Sequence, residues 1–181
     1  MRQPFFTIGH GTRSIEAFVH LLKLAEVALV VDIRTVPRSR ANPQYNGDVL
    51  PDSLAAFGIA YTHLVELGGL RSRSKTVPAS TNGFWVNQSF HNYADYATMS
   101  AEFRAALDRL VEMARAQRLA VMCAESVWWR CHRRIVADHL IARGEAVFHL
   151  MDHDRIEPAT ITPQAVPQAD GSIAYPPPAA G

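Results

Sequence analysis

Apolar residues come along this chain in two rhythms. Continuous short runs have the length of strands: Phe5-Phe6-Thr7-Ile8, Ala28 to Ile33, Ile59 to Leu64, Leu119 to Met122 and Ala146 to Leu150. The second run is apolar almost throughout, as a strand covered on both faces should be. Between the runs, apolar residues recur at helical spacing. Ile15, Phe18, Val19, Leu22 and Ala25 follow Ser14, and Phe103, Leu107, Leu110, Val111 and Ala114 follow Ser100. Serine at those positions is a good N-cap. A further helical pattern runs from Ile135 to Arg143 and stops at Gly144, the residue type that ends helices most readily. Shorter helices are predicted over 51–57 and from Asn92 to Met99. Asp170-Gly171, between Ala165-Val166 and Ile173-Ala174-Tyr175, predicts a small hairpin.

Strands alternating with helices predict an α/β fold: a mostly parallel sheet flanked by helices, a Rossmann-like layer arrangement with a small C-terminal hairpin. The expected organisation is one domain over 1–176 and a frayed Pro-rich tail over 177–181. The loop from Glu66 to Phe90 is long for a compact domain. Its 71–88 portion is expected to be less ordered than the sheet, or to fold over a cleft.

Composition narrows the classes. The chain has 181 residues, is 48% hydrophobic and carries a net charge of +1, so nucleic-acid binding would need a local basic patch. No apolar stretch is long enough to span a membrane and no signal peptide is visible, so no membrane partner is expected. Two cysteines make no disulfide framework, and a cytoplasmic location with both thiols reduced is expected.

In parallel sheets, ligands bind at the carboxyl ends of the strands. The polar residues there are His10, Asp32 with Arg34, Cys123 with Glu125, and His149. The stretch Met122 to Arg134 concentrates the chemistry. Cys123 ends a strand and Cys131 is expected to open a helix, where unpaired N–H groups and flanking cations would favour a thiolate. Cys131 is accordingly the expected nucleophile, with Glu125 or His10 as base and Cys123 as a protonated core residue. The bland alternative for Cys131 is a half-buried helix start. Arg38, Arg40, Arg133 and Arg134 are candidate phosphate contacts, with half of them as readily solvated; His132 is a further substrate-binding candidate, Trp129 a candidate base-stacking residue, and Tyr93 and Tyr96 candidate cleft residues, although aromatic pairs at that spacing more often lie in a core. Asp32 and Arg34 are as readily an ion pair pinning a loop as a substrate contact. No cofactor is expected. The alternative is zinc on Cys123, Cys131, His132 and His10, whose ligand types suit that metal but whose spacing is not that of a CxxC pair. A disulfide between the two cysteines is sterically allowed but disfavoured in a reducing compartment.

Several separated motifs in order carry a family resemblance. These are Thr7-Ile8-Gly9-His10, Val31-Asp32-Ile33-Arg34-Thr35-Val36-Pro37-Arg38-Ser39-Arg40, Leu67-Gly68-Gly69, Tyr93-Ala94-Asp95-Tyr96, and Met122-Cys123-Ala124-Glu125 with Trp129-Arg130-Cys131-His132-Arg133. Together they resemble the domain of unknown function 488 family, from about Phe5 to Tyr175. The resemblance supports the site residues more than any reaction. The chain departs from the family pattern at Gly11 (usually Ser), Val86 (often Arg) and His91 (often Arg). One hydroxyl and two positive charges are thus missing, which argues against the middle loop gripping a phosphate backbone.

These readings converge on an enzyme acting on a phosphate-bearing, nucleotide-like or nucleic-acid substrate at a Cys/His/Glu/Arg cleft. Its rivals are a non-catalytic nucleotide or nucleic-acid binding module and a rhodanese-like sulfur transferase. The latter is disfavoured because Trp128-Trp129 would crowd the cysteine loop. The absence of GxxxxGK[ST] and GxGxxG argues against an ordinary P-loop hydrolase.

Overall fold

The computed structural model describes residues 2–179. Six strands form one sheet: β1 (Phe5–Gly9), β2 (Leu29–Asp32), β3 (Ala60–His63), β4 (Leu119–Cys123), β5 (Val147–Met151) and β6 (Arg155–Pro158). Their spatial order is β3-β2-β4-β1-β5-β6. Every pair is parallel except the last, in which β6 turns back antiparallel on β5. Five helices accompany them: α1 (Ile15–Leu24), α2 (Leu50–Ala55), α3 (Gln88–Met99), α4 (Ala101–Ala116) and α5 (Arg133–Ala142). The predicted α/β architecture is the one observed, including the hairpin of β7 (Val166–Pro167) and β8 (Ile173–Ala174).

Two apolar clusters cover the two faces of the sheet. Phe6, Ile8, Val30, Ala120 and Met122 point to one face, where Phe18 and Leu22 of α1 and Leu50 and Leu54 of α2 meet them. Phe5, Val31, Leu119 and Val121 point to the other, against Tyr93, Phe103, Leu110, Ile135 and Leu140 of α3, α4 and α5. The connection from β1 through α1 leads to β2 on one side, and that from β4 through α5 leads to β5 on the other. β1 and β4 are neighbours, with Gly9 opposite Cys123. The crossovers therefore diverge between these two strands, and a crevice opens at their carboxyl ends. Gly9 keeps the crevice tight, because a Cβ there would run into the backbone of Glu125 and Ser126.

The caps at Ser14 and Ser100 form as expected, each side-chain oxygen accepting from the N–H three residues on. Other boundaries differ. α3 starts at Gln88, capped by Asn87, whose Oδ1 accepts from the N–H groups of Ser89 and Phe90. Cys131 does not begin a continuous helix from the strand. A 3-10 turn, Trp128–Arg130, precedes it, and α5 begins at Arg133. β6 was not anticipated. The middle loop is anchored: Asn82 is fully buried, donates to Asp95 at 2.8 Å and accepts from the N–H of Tyr175, and Trp85 is buried beside it. Of the tail expected to fray, 180 and 181 lie outside the described residues, and Pro177 lies against Gly83. No helix among the described residues is long and apolar enough to cross a membrane.

Candidate active site

A cavity of about 430 Å³ opens at the β1/β4 crevice. The chain after β2 supplies Arg34, Thr35, Val36 and Arg38, and the middle loop and the start of α3 supply Gly69, Leu70, Ser89 and Phe90. The β4–α5 connection supplies Cys123, Ala124, Glu125, Arg130, Cys131 and His132. Gly69 allows the loop to lie on His132, since a Cβ there would strike the imidazole ring.

The two cysteines are free thiols, buried from bulk solvent, with their sulfurs in direct contact. Cys131 Sγ also accepts from the N–H of Arg133 at 3.4 Å. Two thiols so close share one proton on losing the other, so they titrate as a pair. Burial pushes both up. At Cys123 it is outweighed by the hydrogen bond from Cys131, by the Arg133 charge and by a backbone contact at Glu125, and the thiol comes down to about 7. Cys131 is driven well above the usual thiol range, by burial first and then by the hydrogen bond and charge of Cys123. The first negative charge belongs to the pair, held between the two sulfurs beside Arg133.

Arg133 lies beneath the pair and is completely buried. One terminal nitrogen donates to the carbonyl of Ser126 at 2.9 Å. Its Nε and Nη1 have no hydrogen-bond partner, and among the described residues no carboxylate pairs with it. An unpaired buried cation is costly. The negative charge that its field favours is the one on the cysteine pair. His132 sits beside Cys131, Nδ1 to Sγ 3.6 Å, with Nε2 on the carbonyl of Ile33 at 3.1 Å. A carbonyl only accepts, so Nε2 carries the proton and Nδ1 faces the thiol unprotonated. Burial holds the imidazole down to about 4, so it is neutral near pH 7.

A family model described as "Domain of unknown function DUF488" matches residues 14–140 of this geometry. The chain belongs to the DUF488 family. No curated protein and no solved structure gives a significant match. The matched span contains the cysteine pair, Arg34, the middle loop and most of α5, whereas His10 and β5 lie outside it.

The DUF488 cavity gathers Cys123, Cys131, Glu125, Arg34, Arg38 and His132 of the predicted residues. Asp32 lies behind the wall. Its buried carboxylate holds Arg34 bidentately, Nε to Oδ1 at 3.0 Å and Nη2 to Oδ2 at 2.7 Å, and also accepts from Tyr61 Oη at 2.6 Å. The ion-pair reading of Asp32 and Arg34 thus holds, with Arg34 also forming cavity wall. His10 is not at the cavity surface. It stacks on Tyr45 at 4.3 Å, Nδ1 donates to the carbonyl of Gly11, and Nε2 accepts from Arg34 at 3.4 Å, so it braces Arg34. Burial holds its pKa down.

Tyr93 and Tyr96 also stand back from the DUF488 cavity. Their hydroxyls donate to the carbonyls of Leu67 and Glu66, at 2.8 and 2.6 Å, and hold the middle loop in place. Arg40 and the half-exposed Trp129 lie outside the lining, and Arg133 lies under it. His149 is on the far side of β1, bonded to Thr7 and stacked on Trp128 at 4.7 Å. Among the described residues no three His, Cys, Asp or Glu side chains converge on a point that could hold a metal. Sequence reasoning passed over Arg130, Leu70, Ser89 and Phe90. Arg130 was legible in its motif, while the other three reach the cavity only through the path of the middle loop.

Proposed function

We propose that this DUF488 protein is an enzyme in which the Cys123 thiolate attacks an electrophilic atom of a nucleotide-like, phosphate-bearing small molecule. One observation carries the proposal: the cysteine pair opens into a cavity lined also by Arg38 and Arg130, neither engaged by a carboxylate among the described residues, and by the apolar side chains of Leu70 and Phe90. Guanidinium groups suit phosphate oxygens, and an apolar wall suits a base. Cys123 supplies the nucleophile. Cys131 holds the shared proton and is placed to return it to a leaving group, and Glu125 at the mouth is a second proton carrier. No cofactor is required, and the cytosol is the setting that keeps both thiols reduced.

Alkylation tests this. Iodoacetamide at pH 7 should modify Cys123 first, and a nucleoside monophosphate or diphosphate should slow the reaction by filling the cavity. Slow, equal modification of both thiols, unaffected by nucleotide, would remove the proposal.

A further inference from the structure

The geometry points to a second chemistry of the same cavity: Cys123 and Cys131 form a reversible dithiol–disulfide couple, oxidised by small anionic disulfides, with Arg133 as the fixed counter-ion of its thiolate. The inference rests on the reading of Cys123 as a nucleophile and adds an electron acceptor and a resolving thiol.

Three observations carry it. The two sulfurs already touch, so closing a bond between them asks little of the backbone. Both line a cavity wide enough for a small disulfide, whose carboxylates would meet Arg38 and Arg130. Arg133 is wholly buried, with two guanidinium nitrogens that lack a protein partner and no carboxylate beside it, an arrangement that favours a resident anion. The groups facing the pair are Arg133 and His132 from α5, Glu125 from the β4–α5 connection, Tyr93 from α3, and the arginines of the cavity.

The steps balance. The Cys123 thiolate attacks one sulfur of a disulfide RSSR, a Cys123–SR bond forms and RS⁻ leaves. The Cys131 sulfur then attacks Cys123 Sγ, the second RS⁻ departs, and the Cys131 proton goes to one of the released thiolates, with His132 Nδ1 as its nearest acceptor. The protein loses two electrons and the small disulfide gains them. Arg133 is a positioning residue here, since it touches no substrate.

The test uses the full reduced protein with two probes of like S–S chemistry and opposite charge, oxidised glutathione and cystamine. Oxidised glutathione should consume both thiols, lower the mass by two hydrogens, retain no glutathione, and react at least about tenfold faster than cystamine at low salt. Dithiothreitol should restore both thiols. Cys131→Ser should stop at a stable mixed disulfide on Cys123. Arg133→Met should move the pH midpoint of Cys123 alkylation upward, and Arg133→Lys should largely restore it. Should Arg133→Met fail to fold, Cys131→Ser and the two probes still decide. Persistence of both thiols, or one glutathione held on each, overturns the couple. If Cys123 still alkylates rapidly in that case, the nucleophile stands and only the redox inference falls. If it does not, both fall.

Discussion

Asp32 shows what single side chains do in this cavity wall. Its carboxylate is fully buried and answers Arg34, Tyr61 and the backbone N–H of Arg34. Replacing it with alanine leaves a guanidinium in the wall with only a carbonyl and a histidine nitrogen to meet it. Removing one partner of a buried pair costs about 3–5 kcal/mol. Asp32→Ala should therefore lose stability of that order in urea unfolding. A loss below about 1 kcal/mol would mean that Arg34 escapes to solvent in the variant. Residues of this kind were half legible. The chain shows that Asp32 and Arg34 end a strand together, but not that Tyr61 and His10 close around them, because those arrive from other strands. The contact between the two thiols was hidden for the same reason. A helix start is visible in sequence, whereas a sulfur eight positions earlier lying against Cys131 is a tertiary fact.

Elements with their own local signals were the most legible. Ser14 and Ser100 cap helices whose apolar stripes were plain, and Asp170-Gly171 turns the hairpin with Gly171 in the left-handed region. β6 escaped because it is an edge strand with little burial, so no alternation marks it. Its turn places His153 and Asp154 at positive φ without a glycine to announce them. The middle loop is not uniform along its length. Its composition is that of a mobile segment, but Asn82 and Trp85 bury one end, and Tyr93 and Tyr96 pin the other. Hydrogen exchange should find fast amides at 72–77 and slow ones at Trp85 and Leu67, whose N–H groups bond within buried turns. Tyr93→Phe should cost about 1 kcal/mol, and should raise exchange at 67–70 more than at β4. Uniform exchange across 66–90 would contradict this division.

At the scale of the whole molecule, the divergence of crossovers between β1 and β4 sets the cavity, and the same core makes the protein acid-sensitive. Three histidines are folded into it neutral: His132 held to about 4, His139 to about 4 and His149 to about 3, each chiefly by burial. Unfolded, each would return to 6.5. Between those values the unfolded chain binds more protons than the folded one, so stability rises with pH through that window and is lost as pH falls. The full contribution stands above about pH 6.5 and is largely gone near 4. Each histidine gives on the order of 3 kcal/mol, a large share of a typical domain's stability. Asp138 works the other way, because burial raises its carboxyl and acid favours its folded form, but it is one group against these three and His10, which burial lowers as well. Urea unfolding followed from pH 7 downward should therefore show stability falling steeply from about pH 6.5, with a slope of up to three protons taken up on unfolding. His149→Gln should flatten that slope by about one proton. Stability that stays level from pH 7 to pH 4.5 would mean that these rings already carry their protons in the folded core.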